Sequence, residues 1–319
     1  MRVRFWGTRG SIPVALTSAN IRNKIERALL AAIAKGVKSA DQVQCFIDND
    51  LEFAISHTYG GHSPCVEIDA GGGQFLVCDM GSGARALGNS ILARSKNGPP
   101  PIVNVVMSHV HWDHIMGFPF FAPAYVPGVR LRIHGCHEVL ERAFRLQQSA
   151  PCFPVDFSRL AADIEFVRLQ PDRESEIAGF RVRPKLQRHT GDSYGYRFER
   201  GNRSIVYSTD SEHKLEDPTE TESFVAFFRN ADLVIFDAMY SLLDAVSVKE
   251  DWGHSSNIVG VEIAQMAQVK HLCMFHHEPA FDDDRIHSIL NETLRFEELT
   301  RGEHPLKISA AYDGMEIEV

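Results

Sequence analysis

The sequence predicts a layered α/β sandwich, with helices lying outside mixed sheets. From Pro64 onward, apolar runs of strand length alternate with segments whose apolar positions recur at helical spacing. Between 163 and 209 short strand-like runs dominate, so strands and helices are interleaved through the chain. At 319 residues, with no low-complexity tract, the chain can also bury a sizeable core.

The first element is a strand, "RVRFW" at 2–6, ending at Gly7. "ANIRNKIERALLAAIAKG" then repeats apolar residues at helical spacing and stops at Gly36, and a second helical piece covers about 40–54. Together they form a helical insertion at about 15–56 in a single domain spanning 1–319. The insertion is either a packing appendage or the lid or wall of a substrate cleft. Strands are expected at 64–69 and 74–79, a helix near 83–95 and a strand at 102–107. A strand at 130–134, a helix at 137–149 and the Pro- and Phe-rich loop "SAPCFPVDF" come next. Past 209, helices near 219–229, 257–268 and 283–298 alternate with strands at 231–236 and 271–275, and a last strand ends the chain.

Composition narrows the function. The chain is 44% hydrophobic and 24% charged, as soluble globular proteins are. No apolar run approaches the ~18 residues of a membrane span. The N-terminus lacks the apolar stretch of a secretory signal, so a cytoplasmic location without membrane contact is expected. Six cysteines are scattered with no Cys-x-x-Cys pair, which argues against zinc-finger and thioredoxin chemistry. A formal net charge of −9 argues against extended nucleic acid as a partner and for a small substrate.

"MSHVHWDHIMGFPFF" at 107–121 carries the chemistry. His109, His111, Asp113 and His114 fall within six positions, directly after an apolar strand-like run. Imidazole binds borderline metals through a neutral nitrogen, and carboxylates bind or bridge them. On an extended loop alternate side chains point the same way, so His109 and His111 can converge on one ion. Asp113 and His114, where a helix is expected to begin, can then face a second. Further candidates stand at strand ends: His189, Asp210, and His276 or His277.

In this order the residues resemble the five motifs of the metallo-β-lactamase superfamily, whose fold is a four-layer αβ/βα sandwich with its metal site at the edge of two facing sheets. The match runs from Asp79 in "FLVCDMGSG" through His109, His111, Asp113, His114, His189 and Asp210 to His276. The resemblance implies two divalent ions, zinc ahead of manganese or iron. His109, His111 and His189 would hold one, and Asp113, His114 and His276 the other, with Asp210 bridging. Asp79 would orient ligands from behind them. His276 is favoured over His277 because it directly follows its strand.

Local words point to one branch. His111 occupies a position that is acidic in flavodiiron-type oxidoreductases, which argues against redox chemistry. "FWGTRGSIP" at 5–13 resembles the N-terminal segment of ribonuclease Z and its phosphodiesterase relatives. "WGHSS" at 252–256 resembles their His-Ser-Thr loop, which implies that His254 acts at the scissile phosphate. A bacterial group of phosphodiesterases shares "RFWGTRGSIP" and a "YGGNTSC" word that here reads "YGGHSPC", with His62 at the asparagine position.

The resemblance thus implies a phosphodiesterase that uses a metal-bridged hydroxide on a small, cyclic substrate such as a 3′,5′-cyclic nucleotide. Asp113 and His254 would be the catalytic residues. A glutamate that helps the loop histidine in ribonuclease Z is replaced here by Tyr207, leaving Asp237 or Glu212 for that task. Arg9, Ser11, His62 and Ser255 are the candidate substrate contacts, Arg9 because a guanidinium fork matches phosphate oxygens. Phe118, Phe120 and Phe121 are either core or the wall of a base-binding site. A ribonuclease Z-type endonuclease and a glyoxalase-like thioester hydrolase are the alternatives, and a homodimer is expected from the superfamily's habit.

Overall fold

In the computed structural model, the structure describes residues 1–69, 71, 73–240 and 253–319. Two seven-stranded sheets face each other. The first contains β1 (Arg2–Gly7), β2 (Cys65–Asp69), β3 (Gln74–Cys78), β4 (Ile102–Val106), β5 (Arg130–Gly135), β6 (Asp163–Arg168) and β14 (Glu316–Glu318). Its order is β14-β1-β2-β3-β4-β5-β6, parallel from β3 to β6. The second contains β7 (Ser175–Ile177), β8 (Phe180–Gln187), β9 (Ser193–Arg200), β10 (Arg203–Ser208), β11 (Leu233–Asp237), β12 (His271–Phe275) and β13 (Lys307–Ala310). Its order is β13-β12-β11-β10-β9-β8-β7, parallel from β10 to β13.

Pairing explains the strand sequences. β11 and β12 lie inside a parallel region covered on both faces, and every residue of "LVIFD" and "HLCMF" is buried. β8 is antiparallel on both sides near the sheet edge, and "FRVRPKLQ" alternates inward Phe180 and Val182 with outward Arg181. Between the sheets, Phe5, Leu76, Cys78, Val106, Phe198, Ile235 and Phe275 form one continuous core. Helices cover the outer faces: α4 (Ala84–Arg94), α5 (Trp112–Ile115) and α6 (Leu140–Gln147) on the first sheet. On the second lie α7 (Pro218–Phe228), α8 (Asn257–Met266) and α9 (Asp283–Thr300). The result is the four-layer αβ/βα sandwich that the resemblance implies.

The insertion begins with α1 (Ser18–Lys35), started by a Thr17–Asn20 capping box and stopped by Gly36 in the left-handed conformation. The second helical piece is shorter than its periodicity predicts. It splits into α2 (Ala40–Asn49) and a single turn, α3 (Phe53–Ser56), because Phe53 turns inward onto Tyr59 and Tyr312. No helix among the described residues is long and apolar enough to cross a membrane.

Candidate active site

Parallel strands release their carboxyl ends on one side of a sheet, and the loops that follow can meet there. Asp79 follows β3, residues 108–114 follow β4, His189 follows β8, Asp210 follows β10 and His276 follows β12. Asp79, Asp210 and His276 have φ of 60°, 47° and 60°, a conformation non-glycine residues avoid. The chain thus turns sharply at the end of three strands to aim these side chains at one point.

The side chains form two touching groups. In the first, His189 Nε2 lies 3.1 Å from His111 Nδ1, and Asp210 Oδ2 lies 3.7 Å from His109 Nε2 and 3.8 Å from His189 Nε2. In the second, His114 Nε2 lies 3.3 Å from Asp113 Oδ2 and 3.2 Å from Asp210 Oδ1. His276 Nε2 lies 3.4 Å from Asp113 Oδ2 and 3.3 Å from Asp210 Oδ1. Asp210 therefore presents one oxygen to each group.

These residues fit a pair of metal ions. Four donors about 2.1 Å from one ion stand about 3.4 Å apart in a tetrahedron, close to the separations above. His109 Nε2 and His114 Nε2 are buried without a hydrogen-bond partner, a costly arrangement that a cation would relieve. Burial pushes the pKa of His109, His111 and His189 down, which keeps these imidazoles neutral and their lone pairs available. Burial disfavours charge on His114 too, yet the surrounding Asp210, Asp113 and Asp79 carboxylates raise it well above the ordinary value. The same field that calls for a proton there favours a cation.

A ring of hydrogen bonds holds these side chains in place. Asp79 Oδ2 accepts from His114 Nδ1 at 2.8 Å, from Tyr207 Oη at 2.7 Å and from Ser108 Oγ at 2.7 Å, while its Oδ1 accepts from Ser108 N at 2.8 Å. His114 is thereby fixed with Nε2 toward the centre. His189 Nδ1 donates to Gly253 O at 2.9 Å, which turns its Nε2 toward His111 and Asp210. Asp79 thus lies behind His114 as seen from the cluster.

His254 lies beside both groups, its ring centroid 5.2 Å from that of His189 and 5.1 Å from that of His276. Its Nδ1 is 2.8 Å from Asp237 Oδ2, and Asp237 is itself held by the backbone N–H groups of Ser211 and Met239, each at 3.1 Å. Burial would lower the His254 pKa, but the Asp237 charge and hydrogen bond outweigh it and carry the value up to about 9. The structure thus gives Asp237, rather than Glu212, as the partner of His254. Tyr207 does not take that position; its hydroxyl serves Asp79. Trp252, in the same loop word, lies outside the described residues.

Two of the four substrate-contact candidates are placed elsewhere. The Arg9 guanidinium is buried and donates to the carbonyls of Gly60, Glu278 and Phe281 at 2.9, 3.2 and 2.7 Å, so it ties the end of β1 to the chain after β12. Ser255 is also buried, donating to Ser211 O and accepting from His213 N at 3.1 Å. Ser11 is exposed, next to Gly10, whose missing Cβ would stand 2.6 Å from the His276 ring. His62 is exposed, with Nδ1 3.0 Å from Ser82 Oγ. His277 points out of the cluster, its Nε2 2.8 Å from Ala311 O.

Phe118 and Phe121 are core residues, whereas Phe120 is exposed and packs edge-on against Phe153 at 5.5 Å. Trp112, between His111 and Asp113 in sequence, is 66% exposed, and motif reasoning passed over it. The supporting roles of Ser108, Tyr207 and Gly253 carry no spacing signal, because they act through hydroxyls and a backbone carbonyl.

Residues 69–277 match the family described as the beta-lactamase superfamily domain. The chain is 24% identical over 243 residues to a ribonuclease Z from Thermoplasma acidophilum, covering 61% of this chain and 75% of that protein. Among solved structures, the metallo-beta-lactamase fold protein YhfI from Bacillus subtilis is similar at a TM-score of 0.64 and 18% identity, over 99% of both chains. A diphosphatase of the PhnP family is similar at 0.59 and 19% identity, over 100% of this chain and 97% of that one.

Proposed function

The chain belongs to the beta-lactamase superfamily, and from that footing we propose that it is a metal-dependent phosphodiesterase acting on a small, cyclic phosphodiester such as a 3′,5′-cyclic nucleotide. The observation that carries this reading is the Asp237–His254 pair beside a double ligand set. A phosphodiester expels an alkoxide, which needs a proton; a thioester expels a thiolate, stable near pH 8.5, which does not. A charged imidazole held ready for a leaving group therefore favours phosphodiester over thioester hydrolysis.

His109, His111 and His189 would hold one divalent ion, and Asp113, His114 and His276 a second, with Asp210 between them. Zinc suits this imidazole-rich set, with manganese or iron as alternatives. When bound, such ions neutralise the phosphate and make attacking water more acidic. Asp113, its pKa lowered by His114 and His276 against the effect of burial, is a carboxylate that can orient that water's proton. His254 then gives its Nε2 proton to the leaving oxygen, and Asp237 keeps the ring in the right tautomer and stabilises its charge. Ser11, His62 and the exposed Trp112 and Phe120 are the side chains left to contact the rest of the substrate, the aromatic pair by stacking a base.

An RNA endonuclease is the second reading, favoured by the ribonuclease Z relative; the net charge of −9 favours the small substrate. A homodimer in the cytoplasm belongs to the same proposal. The test is hydrolysis of a panel by metal-replete protein: 2′,3′- and 3′,5′-cyclic nucleotides, bis(p-nitrophenyl) phosphate, a lactoyl thioester and a tRNA precursor. Cyclic-nucleotide turnover is expected. Cleavage of the tRNA precursor alone would move the assignment to the endonuclease, and thioester turnover alone would end the phosphodiesterase reading.

A further inference from the structure

The helical insertion is built inside out. An amphipathic helix docked on its own chain normally turns its apolar stripe inward. α1 buries none of its residues. Toward the body it presents Lys24, Arg27 and three alanines, Ala28, Ala31 and Ala32. Lys24 Nζ reaches Asp283 at 2.7 Å, and Arg27 reaches Asp284 at 2.6 Å. Toward solvent it presents Ile21, Ile25, Leu29, Leu30 and Ile33, exposed by between 48 and 75%. These five side chains expose on the order of 600 Å² in one contiguous stripe, the upper end of what a monomer shows.

We propose that this stripe is the contact surface of a two-fold dimer, covered by the antiparallel α1 of a second copy of the chain. Charge selects that occupant. Arg22 and Glu26 lie one turn apart within the outward face, and among the described residues neither makes an ion pair. A two-fold axis passing between them sets each Arg22 against Glu26 of the other copy, so one helix complements itself in the antiparallel sense. The same axis interleaves Ile21 and Ile25 of both copies. It also lays Leu30 and Ile33 over the segment at 15–18, where Leu16 is exposed. With Leu16 added, the surface covered per copy approaches the ~800 Å² of a standard interface. A lipid surface fits less well, because Glu26 stands within the stripe and Lys24 and Arg27 are turned inward. The proposal does not depend on the reaction assigned above.

The test is sedimentation equilibrium of the full chain at roughly 1–100 μM, beside thermal melts. A dimer is expected, and Leu29→Glu is expected to give a monomer that melts cooperatively at the temperature the parent shows when diluted to its monomer. Arg22→Glu alone and Glu26→Arg alone each place like charges together and are expected to weaken association at least about tenfold. The double variant Arg22→Glu/Glu26→Arg is expected to restore it to within about threefold. A parent chain monomeric at ~100 μM would overturn the proposal, as would a dimer indifferent to Leu29→Glu or single reversals that the double variant fails to rescue. A monomer that binds phosphatidylglycerol vesicles through α1 would overturn it in favour of a lipid surface.

Discussion

At the scale of the residue, two side chains carry most of what distinguishes this site from a bare ligand cluster. Asp237 holds His254, which the proposed mechanism makes the leaving-group acid. Asp237→Asn is expected to lower kcat for a 3′,5′-cyclic nucleotide about 10²–10³-fold, the scale of general acid catalysis. Loss on bis(p-nitrophenyl) phosphate should be under about tenfold, because p-nitrophenolate leaves without a proton. Equal losses on both substrates would remove His254 from the acid's role. Arg9 is the opposite case. Its type and motif suit phosphate, but a guanidinium matches backbone carbonyls equally well, and sequence cannot say which it meets. Arg9→Ala strands three carbonyls. It is expected to cost about 3 kcal/mol of stability with KM within about twofold, read from urea melts and steady-state kinetics.

At the scale of the element, the site is a property of strand ends. The cluster residues were legible because histidines and aspartates directly after apolar runs have few other reasons to be there. Their supports were not, since Tyr207 and Gly253 act through a hydroxyl and a carbonyl whose direction only the fold determines. Gly253 has φ of 82°, and a Cβ there would stand 2.4 Å from His189 Nδ1. Gly253→Ala is therefore expected to tilt His189 and weaken binding at the His109, His111 and His189 group by about ten- to a hundredfold. Competition with a chromogenic chelator measures this; unchanged affinity would show that the carbonyl does not orient the ring. Helix periodicity likewise predicts α1 but cannot say which way its stripe points. That depended on Lys24 and Arg27 meeting Asp283 and Asp284, more than 250 residues away in sequence.

At the scale of the whole molecule, the alternation of strands and helices made the layers legible, whereas the partnership of β14 with β1 closes the first sheet across the full chain length and leaves no local trace. The same closed layers bury three imidazoles outside the metal-ligand cluster that the function proposed above requires. Burial depresses His134 and His271 to about 4, and His213, packed 4.2 Å from the Phe224 ring, to about 3. Each stays neutral in the fold but protonates below about 6.5 when unfolded. The unfolded state thus gains protons first, so stability is whole above about pH 6.5 and falls as pH drops toward the folded values. The urea midpoint is expected to fall between pH 7 and pH 5 by the equivalent of a few kcal/mol; a constant midpoint would mean these rings are solvated.

The most direct test of the proposed two-ion hydrolytic centre is a titration of chelator-stripped protein with zinc, following turnover of a 3′,5′-cyclic nucleotide and bound metal together. Activity is expected to climb until two equivalents are bound, and Asp210→Asn, which weakens the shared carboxylate, should lose the second equivalent and the turnover together. Full activity at one equivalent, or two tightly bound ions without phosphodiester hydrolysis, would contradict the account.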